Sequence, residues 1–423
     1  VRQAALSGLN LLPPLPQPGD KEKLLISQSS RLFSLAFRAA ILFCSGMEFS
    51  PQQERALQQV GAWLKRKDSK IFRLFGYAGT GKTTLARHIA EGVKGKVLFG
   101  AFTGKAAQVL RAKGAHNART LHSLIYRPRG EEEAADELTG KTSIVPTFSL
   151  NRESPVAQAD LIIVDECSMV DEKLGQDLLS FGTPVLVLGD PGQLPPVSGG
   201  GFFTESEPDF LLTEIHRQAR DNPIIRLALD AREGRPLELG DYGAAQVISR
   251  RDVDKQHMAE MVLAADQVLV GTNRSRRLYN QRLRDLKEFT ASYPQAGDKM
   301  VCLRNDPTKG LLNGSLWQVI QSARETVKPG INLLVRPEEE GGGMVKIKLL
   351  KAAFDPDGAE APWQLKRRYD DFDYGYALTV HKAQGSQWDN VVLFDESYAF
   401  RDSSERWLYT AITRAAEKLT IVK

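Results

Sequence analysis

The sequence predicts an α/β protein built on parallel sheets, and three observations carry that expectation. Continuous apolar runs recur at residues 71–75, 97–101, 161–164 and 185–188, and again at 268–270, 376–380, 391–394 and 419–422. Runs without polar alternation suit strands buried on both faces. Stretches of helical periodicity separate them, which is the pattern of parallel sheets with helical crossovers. Residues 296–372 read differently: short β-like runs at 300–303, 316–320, 331–335 and 345–349, with turn signals at Asn313-Gly314 and at 338–343. Evenly spaced short strands with tight turns predict a small β-barrel set into the second half of the frame.

At 423 residues the chain exceeds one ordinary core, so more than one domain is expected. The composition is globular, 42% hydrophobic and 26% charged. A net charge of +4 permits a nucleic-acid partner without demanding one. Cys44, Cys167 and Cys302 lie far apart, which suits a reducing, cytoplasmic compartment and offers neither a zinc site nor a disulfide framework. Residues 1–46 stand apart, proline-rich at 11–18 and apolar at 32–44. The apolar part falls short of the roughly 20 residues of a membrane span, and no membrane association is expected. Met47 precedes the first motif, so 1–46 is expected to be a disordered or non-native leader. Asn222-Pro223 marks a helix start, with Asn as cap and Pro at the first position, and Gly234 marks its end. A boundary is therefore expected near 217–222.

The most informative segment is Gly76-Tyr77-Ala78-Gly79-Thr80-Gly81-Lys82-Thr83, which fits G-x-x-x-x-G-K-[ST] at every fixed position. It follows the apolar run 71–75 and precedes a helical stretch, 84–91, that opens with Thr84. A strand feeding a glycine-rich turn and a helix N-terminus aims successive backbone N–H groups at one spot, which suits polyphosphate. Lys82 would reach the β- and γ-phosphates, and Thr83 would give its hydroxyl to Mg²⁺. A nucleoside triphosphate is the expected ligand.

Hydrolysis needs one carboxylate near the metal and another to orient and deprotonate water. The run 161–164 ends in Asp165-Glu166. At a strand end the chain leaves the pleat, so neighbouring side chains can face one ligand. Asp165 is the expected metal-side residue and Glu166 the expected base. The next strand ends in Leu188-Gly189-Asp190-Pro191-Gly192-Gln193-Leu194-Pro195-Pro196, where Gln193 is placed to sense the γ-phosphate.

Further segments follow in a fixed order: Phe102-Thr103-Gly104-Lys105-Ala106-Ala107, Thr120-Leu121-His122-Ser123, Glu214-Ile215-His216-Arg217-Gln218, Leu378-Thr379-Val380-His381-Lys382-Ala383-Gln384-Gly385-Ser386 and Tyr409-Thr410-Ala411-Ile412-Thr413-Arg414-Ala415. This series resembles the motifs of superfamily 1 helicases, and its wording is similar to the RecD/Dda branch, superfamily 1B, with 5′→3′ polarity. The likeness runs from about Phe49 to the C-terminus. It implies two RecA-like P-loop domains, 47–218 and 219–423, with ATP between them and a Src-homology-3-like barrel at 296–372 in the second. It places Gln53, Gly76, Gly79, Thr80, Gly81, Lys82, Thr83 and Thr84 around ATP. Gln53 would read adenine through an amide that both donates and accepts. Arg217, beside the expected boundary, and Arg414 match the two arginines that the family's second domain supplies to the γ-phosphate, which makes hydrolysis depend on closure.

The same likeness implies a strand-binding surface. Lys105 and the Thr103 hydroxyl suit phosphates; Phe102 either stacks on a base or packs inside. His122 is a strand contact or a structural cap. Thr379, His381 and Lys382 match a second-domain contact loop, and Asn273, after 268–270, is a further candidate. Residues 127–154 form an insertion where relatives carry a β-hairpin pin; 142–150 reads as half of one and 131–137 as its acidic, solvated tip. The expectation is a monomeric helicase on single-stranded DNA and single-strand/duplex junctions of a bacterial or phage-infected cell, with replication or recombination proteins as candidate partners. An RNA-directed or protein-displacing translocase and a non-catalytic clamp are the rival readings.

Overall fold

The computed structural model describes residues 49–423 apart from 67, 136–141, 196–200, 216–220, 307, 323–328, 339–342, 355–362 and 367. The expected leader, 1–46, lies outside the described residues. The described residues begin with α1 (Pro51–Arg66), β1 (Ile71–Gly76), α2 (Lys82–Gly92), β2 (Val97–Ala101), α3 (Gly104–Ala112) and β3 (Arg119–Thr120). There follow α4 (Leu121–Ile125), the pair β4 (Tyr126–Ala135) and β5 (Thr142–Leu150), then β6 (Leu161–Asp165), α5 (Glu172–Leu179), β7 (Val185–Gly189) and β8 (Phe210–Leu212). Six of these strands form one sheet in the order β3-β2-β6-β7-β1-β8, and every pairing in it is parallel. All of β7 and the first four residues of β6 are buried, as their unbroken apolar runs require. The helix after the glycine-rich turn starts at Lys82 rather than at 84, because Gly81 in the left-handed region supplies its cap.

The second lobe holds α6 (Pro223–Arg232), β9 (Gly240–Asp241), β10 (Ala245–Ile248), α7 (Lys255–Ala264), β11 (Gln267–Val270) and α8 (Asn273–Leu286). Next come β12 (Lys299–Cys302), β13 (Leu316–Ser322), β14 (Gly330–Pro337), β15 (Val345–Leu350), α9 (Trp363–Lys366) and β16 (Phe372–Tyr374). The chain closes with β17 (Ala377–Thr379), β18 (Trp388–Phe394), α10 (Ser404–Ile412) and β19 (Ala415–Val422). Its main sheet runs β17-β11-β18-β19-β10-β9, parallel except where β9 meets β10. The Asn222 side chain accepts from the Ile224 N–H at 2.8 Å, and Pro223 opens α6. Among the described residues no helix is long and apolar enough to cross a membrane.

The insertion is an antiparallel sheet in the order β15-β14-β13-β12-β16. Its two edges meet at one residue. The Asp370 N–H donates to the Lys348 carbonyl at 2.8 Å, and the Asp370 carboxylate accepts from the Lys348 N–H at 2.8 Å. Among the described residues β15 and β16 form no strand pair, and the segment expected to be a barrel is a five-stranded sheet with Asp370, two residues before β16, bonded to β15. Val301 and Leu316 of this sheet lie in the same buried cluster as Leu378, Leu393 and Trp407 of the main sheet and helices. In the first lobe β4 and β5 form an antiparallel hairpin from Tyr126↔Leu150 to Ala135↔Thr142. Residues 131–135, read as part of a tip, belong to strand β4; the cross-strand ladder extends the hairpin further than their acidic composition suggested.

Candidate nucleotide cleft and strand surface

The glycine-rich turn has its shape for steric reasons. A Cβ at Gly76 would stand 2.7 Å from both Leu212 Cβ and Thr80 Oγ1. Gly79 and Gly81 have φ of 77° and 82°, values that side chains disfavour. Thr80 is fully buried, and its hydroxyl donates to the Tyr77 carbonyl at 2.8 Å, so it shapes the loop rather than facing a ligand with its side chain. The open amides at the start of α2 then line a cavity of about 390 Å³ with Tyr77, Gly79, Gly81, Lys82, Thr83 and Thr84, rimmed by Arg87 and Lys113. Gln53 braces this loop: its amide oxygen accepts from the Ser50 N–H and its NH₂ donates to the Thr80 carbonyl, each at 3.0 Å. One N–H and one lone pair of that amide remain for a base.

Lys82 Nζ folds back onto the Gly76 and Tyr77 carbonyls at 2.5 and 3.0 Å, with Asp190 3.8 Å away. The Thr83 hydroxyl lies 3.5 Å from Asp165 Oδ2 at the end of β6. This hydroxyl and carboxylate offer hard oxygen atoms of the kind Mg²⁺ takes from proteins when phosphates supply the rest. Glu166 has φ 53°, so the chain does leave the pleat there, and its N–H donates to Asp165 Oδ1 at 2.9 Å. Burial pushes both carboxyl pKa values up; the Arg414 guanidinium opposes this most strongly at Glu166, and the Glu166 N–H bond and Lys82 oppose it at Asp165. With its amide assigned the orientation that satisfies both neighbours, Gln193 bridges the lobes: it donates to Glu166 Oε2 at 3.2 Å and accepts from Arg414 Nη2 at 3.3 Å. Arg414 is itself buried and fixed by the Thr410 and Ser386 carbonyls at 3.1 and 3.2 Å. Arg217 falls in 216–220, outside the described residues.

Phe102, Thr103 and Lys105 follow β2, His122 lies on α4 after β3, Asn273 follows β11, and Thr379, His381 and Lys382 end and follow β17, so the strand candidates sit at C-terminal strand ends, where open α/β sheets present ligand sites. Thr103 caps α3, accepting from the Ala106 N–H at 3.1 Å, which leaves its hydroxyl proton as a donor. Lys105 lines a cavity of about 580 Å³ with Lys287, Lys299, Glu338 and Trp388 of the second lobe. Burial lowers its pKa, and the Glu338 charge works against that. Phe102 packs edge-on against His122 at 6.0 Å, and His122 also meets Tyr126 and Phe148 at 5.6 and 6.2 Å. Burial lowers the His122 pKa, so this ring is neutral at pH 7 and forms part of an aromatic cluster at the hairpin root. Thr379 Oγ1 accepts from the Lys382 N–H at 3.4 Å, and the His381 ring lies 5.5 Å from Phe400. Asn273 opens α8 and accepts from Arg276 at 3.3 Å. The two halves of this surface meet: a Cβ at Gly385 would lie 3.3 Å from Thr103 Oγ1.

Comparison with known proteins places this geometry. Residues 48–252 match the AAA domain family, and residues 374–422 match the UvrD-like helicase C-terminal domain. The chain is 30% identical to the ATP-dependent RecD2 DNA helicase of Deinococcus radiodurans over 82% of its own length and 46% of that protein. It is 30% identical to the ATP-dependent DNA helicase dda of Enterobacteria phage T4 over 43% of its length and 42% of that protein. The chain is similar to the RecD/Dda-like helicases of superfamily 1B. It spans less than half the length of either of these relatives. Pif1 helicase from Bacteroides, solved in complex with ADP-AlF3 and ssDNA, shares the fold at TM-score 0.51 and 20% identity, over 89% of this chain and 92% of that one.

Three residues of the cleft escaped the sequence reading. Tyr409 and Arg232 come from the second lobe and touch the turn at Ala78 and Tyr77. Asp190 stood inside a quoted motif but was given no role. Tyr409 acts through contacts 331 and 219 residues away, and the partners of Asp190 are split between the lobes. The only local signal was the motif wording around Tyr409 and Asp190; Arg232 had none.

Proposed function

We propose that this chain is an ATP-driven motor that hydrolyses ATP in the cleft between its lobes, moves 5′→3′ on single-stranded DNA and separates duplex ahead of it. One observation carries the reading: Lys82, Asp165 and Glu166 of the first lobe face Arg414 of the second, with Gln193 bonded to both sides. In this reading the α2 amides and Lys82 hold the β- and γ-phosphates. Thr83 and Asp165 hold Mg²⁺, which supplies charge neutralisation on the phosphates when bound. Glu166 takes the proton of the attacking water, and Gln193 orients that water and reports loss of the γ-phosphate. Arg414, and Arg217 by its motif position, balance charge on the transferring phosphoryl. Since these groups come from both lobes, the site is complete only when the lobes are together. Hydrolysis thereby alternates closed and open cleft, and the grips at Thr103/Lys105 and at Thr379/His381/Lys382 tighten in turn as an inchworm.

The β4–β5 hairpin is the proposed separating element, standing on the Phe102–His122–Phe148 cluster. Polarity rests on likeness to the RecD/Dda branch. A soluble, monomeric, cytoplasmic motor that works beside replication or recombination proteins completes the reading. The test is unwinding of duplexes with a 5′ or a 3′ single-stranded tail, beside ATPase on DNA and RNA oligonucleotides. Wild type is expected to open only the 5′-tailed substrate, and Lys82→Ala to lose ATP hydrolysis. Opening of the 3′-tailed substrate alone overturns the polarity; stimulation by RNA without DNA overturns the substrate; near-normal hydrolysis by Lys82→Ala overturns the site.

A further inference from the structure

The second lobe touches the glycine-rich turn directly. Tyr409, on α10 and almost wholly buried, accepts the Ala78 N–H at 2.7 Å and donates to Asp190 Oδ2 at 2.7 Å. Burial and the Asp190 charge both raise the phenol pKa, so the hydroxyl keeps its proton for Asp190. Asp190 is also buried; its other oxygen accepts the Gly192 N–H at 3.0 Å. The same Oδ2 that takes the phenol proton is the atom 3.8 Å from Lys82 Nζ. A Cβ at Gly192 would lie 3.0 Å from Tyr409 Cε1, so the absence of a side chain there lets the ring approach. Beside this, the Arg232 guanidinium of α6 sits 3.7 Å above the Tyr77 ring. Two consecutive residues of the turn are thus held from the second lobe.

We propose that Tyr409 is a positioning residue that ties the first bend of the phosphate loop to the second lobe and keeps the Asp190 carboxylate from capturing Lys82. This rests on the nucleotide reading above and deepens it. While the lobes are together, the phenol engages Asp190 Oδ2, and Lys82 Nζ rests on the Gly76 and Tyr77 carbonyls 3.8 Å from that oxygen, where the β- and γ-phosphates can draw it away. When the second lobe withdraws, the phenol leaves with it. Asp190 Oδ2 then loses its phenol donor while Gly192 still holds only Oδ1, and Lys82, 3.8 Å from Oδ2, is drawn off the phosphates. Lobe movement thereby alters triphosphate grip through the lysine, separately from the arginine that alters turnover.

Tyr409→Phe tests this, because it keeps the ring and removes only the hydroxyl. The readouts are the KM for ATP in strand-stimulated hydrolysis and the Kd of a fluorescent ATP analogue. A lost hydrogen bond to a buried charge predicts both to rise about tenfold, with kcat changed less than about threefold. Adding Asp190→Asn removes the competing charge and should bring KM and Kd back to within about threefold of wild type, a coupling that lost packing would not produce. Unchanged KM and Kd in Tyr409→Phe, or no restoration by Asp190→Asn, overturns the proposal. If Tyr409→Phe does not fold, Asp190→Asn alone decides: Kd at or below wild type supports it, and a raised Kd overturns it. A wild-type protein that binds the analogue but never hydrolyses ATP sinks the motor reading while leaving this test intact.

Discussion

Gly104, buried at the first position of α3, offers a sharp test of whether the lobes work by closing. A Cβ there would stand 2.6 Å from Leu312 Cβ and 3.0 Å from its Cγ and Cδ1. Carbon atoms in good contact sit about 3.5–4.0 Å apart. Leu312 belongs to the second lobe, on the connection between β12 and β13, so the overlap falls across the cleft. Gly104 stands at the first helical position and outside the left-handed region, so the backbone of α3 accepts alanine there. Gly104→Ala should therefore spare the first lobe's own stability while penalising its contact with the second. Forcing one methyl into a packed contact costs about 1–3 kcal/mol. A hinged pair of lobes escapes that cost by opening, which lowers the closed population about 5–150-fold. The assay is strand-stimulated ATPase together with a fluorescence distance between the lobes in the presence of nucleotide and oligonucleotide. Gly104→Ala should lose at least about fivefold of its stimulated rate, with undiminished thermal stability, and Leu312→Ala in the same chain should restore it. Full stimulated turnover with an unchanged distance would refute the idea that this contact belongs to the working state.

Arg414→Ala should leave nucleotide affinity near wild type and slow turnover by about 10³-fold or more, the usual scale for an arginine on a transferring phosphoryl; equal losses in Kd and kcat would contradict its role. Lys382→Ala should weaken strand binding and reduce the slope of log K against log salt by about 0.7, the value for one lost phosphate contact on a single strand. His381→Gln should leave that slope unchanged, because burial lowers the His381 pKa and the ring is neutral at pH 7. Titration of binding from 50 to 300 mM salt would check both, at about those concentrations by analogy with other strand binders. Arg284 and Asp298 form a buried pair at 3.0 Å, and Asp298 also takes the Tyr376 hydroxyl at 3.0 Å. Arg284→Ala should destabilise the second lobe by about 3–5 kcal/mol in denaturant melts, since it strands a buried charge; a loss below about 1 kcal/mol would show that Asp298 is rescued by its other donors.

The parts legible in the sequence were those whose signal is local. Unbroken apolar runs announced β1, β2, β6 and β7, and the glycine spacing announced the turn between β1 and α2. Asn222-Pro223 announced α6 because cap and helix lie within three residues. The helix start at Lys82 was placed two residues late, since nothing local says that Gly81 adopts the left-handed conformation. Phe102 was left between stacking and packing; the ring cluster with His122 and Phe148 forms only when the hairpin folds back, a contact no local pattern encodes. Tyr409 is the clearest miss. Its neighbours in space are 331 and 219 residues away in the chain, so no window of sequence contains its function.

Leu194 sits in the chain of the first lobe yet is buried among Leu227, Trp407 and Ile412 of the second. Its N–H is held by the Thr410 hydroxyl at 2.9 Å and its carbonyl by the Gln384 amide at 2.9 Å. Such a peg acts as an axle. Relative motion around it is cheap in free energy, whereas sliding or full detachment would expose an apolar side chain and strand two backbone groups at once. The halves are consequently not interchangeable cassettes, and a fragment ending before Thr410 would carry its own bare spindle into solvent.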